Sequence, residues 1–285
     1  MRIKRNKSKR PLINQENLSI ENIKSQLNHT SDLKEREIHS NGQIYNILYI
    51  NSLVDQEILE SKIIKPLIKM ENNDILNELY SQEIRTSKSI KIAINGLLDG
   101  YCLLIKKGRN NEGFLLKTTA SIDREVSEPA VEKTILGAKV GFVESLDKNT
   151  YLLRSLTKSP DFTVREFTLG SSTTTNVSLI YLEHVADSEV IKKVEERIKS
   201  ITLNSIRSEG DIQDCIEDHT ITPFPQLFLT ERPDKASANL KDGRVALIID
   251  GSPSVIILPA TFMTFFQPPD DYTTRWWFGS FFRLI

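Results

Sequence analysis

The chain runs to 285 residues, 39% of them hydrophobic and 26% charged, with a formal net charge of -1. This is the composition of an ordinary folded, soluble protein, and near-neutrality argues against a nucleic-acid-binding domain, which is usually strongly basic. The length predicts about two domains, and the two cysteines, Cys102 and Cys215, are no disulfide framework and fit a reducing compartment.

The first ten residues, MRIKRNKSKR, hold six basic side chains and no acid, without the apolar stretch of a signal peptide. Residues 1–15 therefore read as a disordered, solvated tail, with an anionic membrane surface as the other partner that such a tail fits. The polar stretch 16–40 reads as helical. Next comes an internal repeat. Leu48-Tyr49-Ile50-Asn51-Ser52-Leu53-Val54-Asp55-Gln56-Glu57-Ile58 aligns with Ile180-Tyr181-Leu182-Glu183-His184-Val185-Ala186-Asp187-Ser188-Glu189-Val190, with Tyr, Asp and Glu coinciding. In each copy a β-rich run leads to an Asp suited to cap a helix. The second helix carries a stripe of Val190, Ile191, Val194, Ile198 and Ile201. In the first, Ile58, Leu59, Ile63, Ile64 and Leu67 form a less regular stripe.

A second pair follows in the same order. Leu97-Leu98-Asp99-Gly100-Tyr101-Cys102-Leu103-Leu104-Ile105 aligns with Leu240-Lys241-Asp242-Gly243-Arg244-Val245-Ala246-Leu247-Ile248. Each reads as a helix ended by a left-handed Gly, with a strand starting at once. The strand turns back at Gly108 or Gly251, and 114–118 or 255–258 completes a hairpin. Each copy thus reads strand, helix, intervening segment, helix, Asp-Gly cap, hairpin. The expected fold class is α/β (α+β mixed), with two related subdomains, each a small mixed sheet flanked by helices. Their ranges are 16–120 and 170–267, joined by a mainly helical connecting segment, 121–169, with no counterpart in the first copy.

Val245 to Phe266 is a long apolar run, but Asp250-Gly251-Ser252-Pro253 is a turn composition, so the run reads as two strands and not a membrane span. The last stretch, 268–285, differs. Pro268 and Pro269 precede Trp276, Trp277, Phe278, Phe281 and Phe282. Paired tryptophans beside an apolar run suit a membrane interface, so this stretch reads as a juxtamembrane elbow, with Trp276, Trp277, Phe281 and Phe282 as its membrane contacts.

No catalytic constellation emerges. There is no GxxxxGK[ST], no GxGxxG and no GxSxG around the serines of 170–175. Cys215 and His219 share a helix face, but with no CxxC or HExxH they fall short of the three or four ligands a metal needs. Asp250 and Asp271 read as turn residues. The chain reads as no enzyme and calls for no cofactor and no metal.

The remaining motifs form a collinear set: Arg124-Glu125-Val126-Ser127-Glu128-Pro129-Ala130-Val131-Glu132, Gly137-Ala138-Lys139-Val140-Gly141-Phe142-Val143-Glu144, Asn149, Leu152-Leu153-Arg154, Pro223-Phe224-Pro225-Gln226, Thr230-Glu231-Arg232-Pro233-Asp234, then Asp250-Gly251-Ser252-Pro253 and Asp271-Tyr272 with Arg275. In this order and spacing they resemble the N-terminal domain of the GerA family of spore germination receptor A subunits, over 40–285. Ala138 departs from the family's usual Pro, and Thr157 stands where a further Arg is frequent. The resemblance implies B and C partner subunits, a homo-oligomer of the full-length A subunit, and a place in the spore inner membrane with this domain facing the core. It implies a role in coupling nutrient sensing to ion-channel opening. Arg124, Glu128, Glu132, Glu144, Asn149, Arg154, Arg232 and Asp234 are the candidate ligand- or interface-binding residues. Arg suits such a network because its fork pairs two carboxylate oxygens at once. The other reading of two like lobes is a small-ligand-binding module that holds the germinant between them, as solute-binding proteins do.

Overall fold

The computed structural model describes residues 18–70, 79, 83–108, 112–120, 140–203, 206, 209–217 and 226–260. These fall into two compact units, one of 18–120 with 158–163, the other of 140–157 with 164–260.

The first unit opens with a short helix, α1 (Ile20–Gln26), capped by the Ser19 hydroxyl, which accepts from Asn22 N at 3.2 Å. Strands β1 (Leu33–Ser40) and β2 (Gln43–Ile50) pair along their whole length across an Asn41-Gly42 turn, where both residues have positive φ. A helix α2 follows over 56–69, with a π-helical middle at Leu59–Ile64, then β3 (Ile84–Ser87), α3 (Ile90–Leu98), β4 (Tyr101–Lys106) and β5 (Gly113–Lys117). The sheet order is β1-β2-β4-β5-β3. Alternation along the strands sends Tyr45, Ile47, Tyr49, Cys102, Leu104 and Leu116 to the α2 face, where they meet Leu59, Ile63 and Leu67. α3 packs on β2, β4 and β5.

The second unit repeats this plan. Its elements are α4 (Leu146–Thr157), β6 (Phe162–Leu169), β7 (Thr175–Leu182), α5 (Ser188–Ser200), α6 (Glu209–Ile216), β8 (Phe228–Thr230), α7 (Pro233–Lys241), β9 (Val245–Ile249) and β10 (Val255–Leu258). The sheet order, β6-β7-β9-β10-β8, is the first order with each strand replaced by its counterpart. Val177, Leu179, Tyr181, Val245, Leu247, Ile249 and Ile256 face α5 and α6. The alternate residues Ser178, Ile180, Ala246, Ile248, Val255 and Ile257 are buried too, because α4 and α7 cover the other face. Strands hydrophobic on both sides are what a sheet between two helical layers requires.

Two related α/β subdomains are thus the architecture, with three differences from expectation. Both sheets are antiparallel rather than mixed. Among the described residues of the stretch 16–40 only Ile20–Gln26 is α-helical, and Leu33–Ser40 is a strand. Its Lys, Glu and Arg residues mask a strand pattern because it lies at the sheet edge, where charge discourages pairing with other chains. The third concerns the segment 121–169. Its α4 and β6 occupy in the second copy the places of α1 and β1. The sequence carries a trace of this: Asp32-Leu33-Lys34-Glu35-Arg36-Glu37 aligns with Asp161-Phe162-Thr163-Val164-Arg165-Glu166, sharing Asp, Arg and Glu.

The helix punctuation is as expected. The Asp55 carboxylate accepts from Glu57 N and Ile58 N at 2.9 and 3.1 Å, and that of Asp187 accepts from Glu189 N at 2.9 Å. Gly100 and Gly243 end α3 and α7 with φ of +81° and +90°.

Candidate functional site

Duplication supplies an internal control. In the first copy the paired helices α1 and α3 bury apolar residues: Ile23, Ile90, Ala93, Ile94 and Leu97. In the second, the equivalent pair α4 and α7 buries Asn149, Thr150, Arg154 and Thr157 from one helix and Lys235, Ser237 and Asn239 from the other, beside Arg232. Arg154 and Arg232 are each 1% exposed, the largest fully buried side chains described. Buried polar groups cost free energy unless hydrogen-bonded, and pairing rarely makes them more stabilising than hydrocarbon of the same shape. The same fold solves its packing with apolar side chains one copy earlier, so this polar layer is not a packing requirement.

Its geometry is well defined. Arg232, the N-cap residue of α7, forks onto Asp234: Nε donates to Oδ1 at 3.0 Å and Nη2 to Oδ2 at 2.6 Å. Pro233, which sets the first turn of α7, holds the two side chains in reach. Burial acts to raise the Asp234 carboxyl. The Arg232 hydrogen bond and charge, with the N–H groups of Lys235 and of Asp234 itself, outweigh it and hold the carboxyl below its ordinary value. Across the helix pair the Thr157 and Ser237 hydroxyls meet at 3.1 Å, and Lys241 Nζ donates to Leu156 O at 3.2 Å.

A strap over 140–146 leads into α4 and is tied at residues 142, 143, 144 and 146. Phe142 N donates to Glu231 O at 2.8 Å and Gly251 N donates to Glu144 O at 2.7 Å. Between them the Asn149 amide grips Val143, accepting from its N–H at 2.8 Å and donating to its carbonyl. Leu146 N, at the start of α4, donates to Asp250 Oδ1 at 3.2 Å. Asp250 lies in the β9–β10 turn, as its Asp-Gly-Ser-Pro setting predicts, but its side chain also caps a helix 104 residues earlier. No local pattern announces that second task.

The candidates therefore divide. Asn149 and Arg154 are buried on α4, and Arg232 pairs with Asp234 at the start of α7, the helix that packs against it. Glu144 has an exposed side chain and joins through its carbonyl. Arg124, Glu128 and Glu132 lie outside the described residues, as do Trp276, Trp277, Phe281 and Phe282. Asn149 acts as an internal lock rather than an outward-facing group. We predict that Asn149→Ala lowers stability by about 1–3 kcal/mol, because it strands two backbone groups of Val143; equilibrium denaturation of the 285-residue chain measures it.

Among the described residues no group of three His, Cys, Asp or Glu side chains could hold a metal. The Cys102 thiol is pushed up to about 12 by burial, which makes it inert at neutral pH. Among the described residues no helix is long and apolar enough to cross a membrane. The layer is suited to fixing one packing arrangement of α4, α7 and the strap.

Known proteins carry the same signature. A family described as Bacillus/Clostridium GerA spore germination protein matches residues 21–285. Spore germination protein A1 of Bacillus subtilis (strain 168) is 34% identical over 257 residues, which are 89% of this chain and 53% of that protein. Spore germination protein KA of the same organism is 32% identical, over 94% of this chain and 51% of the relative. The chain thus spans about half the length of these relatives. A crystal structure of the N-terminal domain of the A subunit of the Bacillus megaterium spore germinant receptor GerK3 is similar, with a TM-score of 0.64 and 29% identity, covering 85% of this chain and 94% of that one. The collinear motifs, the matched span and these identities agree that the chain belongs to the GerA family of spore germination proteins.

Proposed function

We propose that this chain serves as the N-terminal domain of a germinant receptor A subunit, coupling nutrient sensing to ion-channel opening through contacts between subunits. The observation that carries the coupling role is the polar α4–α7 layer, present in one copy of a duplicated fold and replaced by hydrocarbon in the other. On this reading Arg124, Glu128 and Glu132 join Arg154, Arg232 and Asp234 in one ion-pair network at a subunit junction. Its partners are B and C subunits and further copies of the A subunit. The 268–285 stretch, with Trp276, Trp277, Phe281 and Phe282, leads to the spore inner membrane, and the domain faces the spore core. The domain count implied is a basic tail over 1–15, two α/β lobes and this elbow.

The test uses spores carrying the whole receptor with Arg154→Lys or Arg232→Lys, which keep the charge and lose the fork. Nutrient-triggered germination should fall about 5- to 150-fold, the range of ordinary coupling free energies, at unchanged receptor abundance on immunoblots. A wild-type response at normal abundance would overturn the reading. Calorimetry of the 285-residue chain with amino acids, sugars and nucleosides checks the other side: micromolar binding would make the domain a germinant site instead.

A further inference from the structure

We propose that the π-helical turn of α2 is a two-register switch, latched by the Arg36–Glu60 ion pair; this rests on the coupling role above and names a moving part for it. The two copies reveal the turn as a single extra residue. In α5 the buried stripe runs Ile191, Val194, Ile198, with Ile201 at the C-cap. In α2 it runs Leu59, Ile63, Leu67, with Met70 at the C-cap. The last two steps match in length. The first is longer by one residue in α2, and that step lies within Leu59–Ile64.

The extra residue is absorbed by widening the helix. Lys65 N–H reaches Glu60 O, five residues back, where an α-helix reaches four. Two side features hold the wide turn there. Pro66 has no N–H to offer the Lys62 carbonyl, so a continuous α ladder cannot run through it. The Ser61 hydroxyl donates to Glu57 O at 2.6 Å, a back-bond that bends helices. π turns inside α-helices are uncommon and concentrate at functional sites. Here a regular helix does the same packing work in the second copy.

Two registers are available to such a helix. Moving the extra residue along by one turn rotates the residues it passes by about 100° and shifts them about 1.5 Å. Glu60 stands inside the wide turn, and its carboxylate is bound by Arg36 Nη1 on edge strand β1. Rotation carries Glu60 away from Arg36, so this ion pair reports and latches the observed register. Leu59, Ile63 and Ile64 are buried against the sheet, so a register change repacks the first core.

Deleting Ser61 removes the extra residue, so the spacing of the buried stripe matches that of α5 and no wide turn is left to move. The 285-residue chain with this deletion should melt no lower than wild type and show slower amide exchange over 59–66. In spores carrying the whole receptor, its nutrient response should fall about 5- to 150-fold. Pro66→Ala, which restores the missing N–H, should shift exchange and response in the same direction, and it decides the matter if the deletion does not fold. A wild-type response from a folded deletion chain, or unchanged exchange in Pro66→Ala, overturns the switch. If the response survives Ser61 deletion while Arg232→Lys abolishes it, the switch fails and the coupling role stands. If both variants respond normally at normal abundance, both readings fail.

Discussion

Asp234→Ala should lower the unfolding free energy by about 1–3 kcal/mol at neutral pH, the usual cost of taking a hydrogen-bond partner from a buried group. Arg232 is 1% exposed and loses a forked partner held at 2.6 and 3.0 Å. Arg232→Met should cost less, because the carboxylate it leaves behind is 30% exposed and water can reach it. The double variant should cost less than the sum of the two, since neither charge is then left without the other. The pH dependence follows from the sign of the shift. Asp234 is held below its unfolded value, so its contribution is complete above the unfolded pKa of about 3.9 and is lost as pH falls through the lower folded value. Urea titrations from pH 7 to pH 2 should therefore show wild type and Asp234→Ala converging below about pH 4. A constant gap down to pH 2 would mean that the charge of Asp234 does not carry the effect.

Gly100→Val should cost about 3 kcal/mol, and Gly251→Val only about 1–2 kcal/mol. Both glycines lie in the left-handed region, with φ of +81° and +86°, and a β-branched residue pays about 1–2 kcal/mol there. Gly100 carries a second burden. A Cβ at this position would stand 2.8 Å from Leu53 O and 3.1 Å from Thr119 Cα. Both are backbone atoms in a fixed lattice. Leu53 O accepts from Ala120 N at 2.9 Å, and Gly100 O accepts from the Thr118 hydroxyl at 2.9 Å. Displacing them adds an overpacking cost of about 1–3 kcal/mol. Gly251→Val isolates the backbone part, since nothing lies within 4 Å of the added Cβ. Equal losses at positions 100 and 251 would show that the close approach at Gly100 relaxes freely.

Local chemistry is legible in the chain because it acts over a few residues. The Asp55 and Asp187 caps, the Gly100 and Gly243 terminators and the paired Tyr49 and Tyr181 strands each need only near neighbours. Two copies of such a pattern announce a duplicated α/β fold, and motifs in one order along most of the chain announce the family. The start of each copy is harder to read. β1 is an edge strand whose charges hide its alternation, so Leu33–Ser40 resembles a polar helix and the pairing of β6 with β7 is missed. The one local clue, Asp, Arg and Glu shared by 32–37 and 161–166, is too short to stand without the strand order that explains it. Long-range partners are illegible for a different reason. That Asp250 caps α4, that Asn149 grips Val143, and that Arg154 and Arg232 are buried in one layer depend on which helices the sheet brings together. A charged side chain has the same local pattern at the surface as in a core. Only tertiary packing, by removing water from two arginines while leaving the matching helices of the first copy apolar, separates a structural repeat from a site.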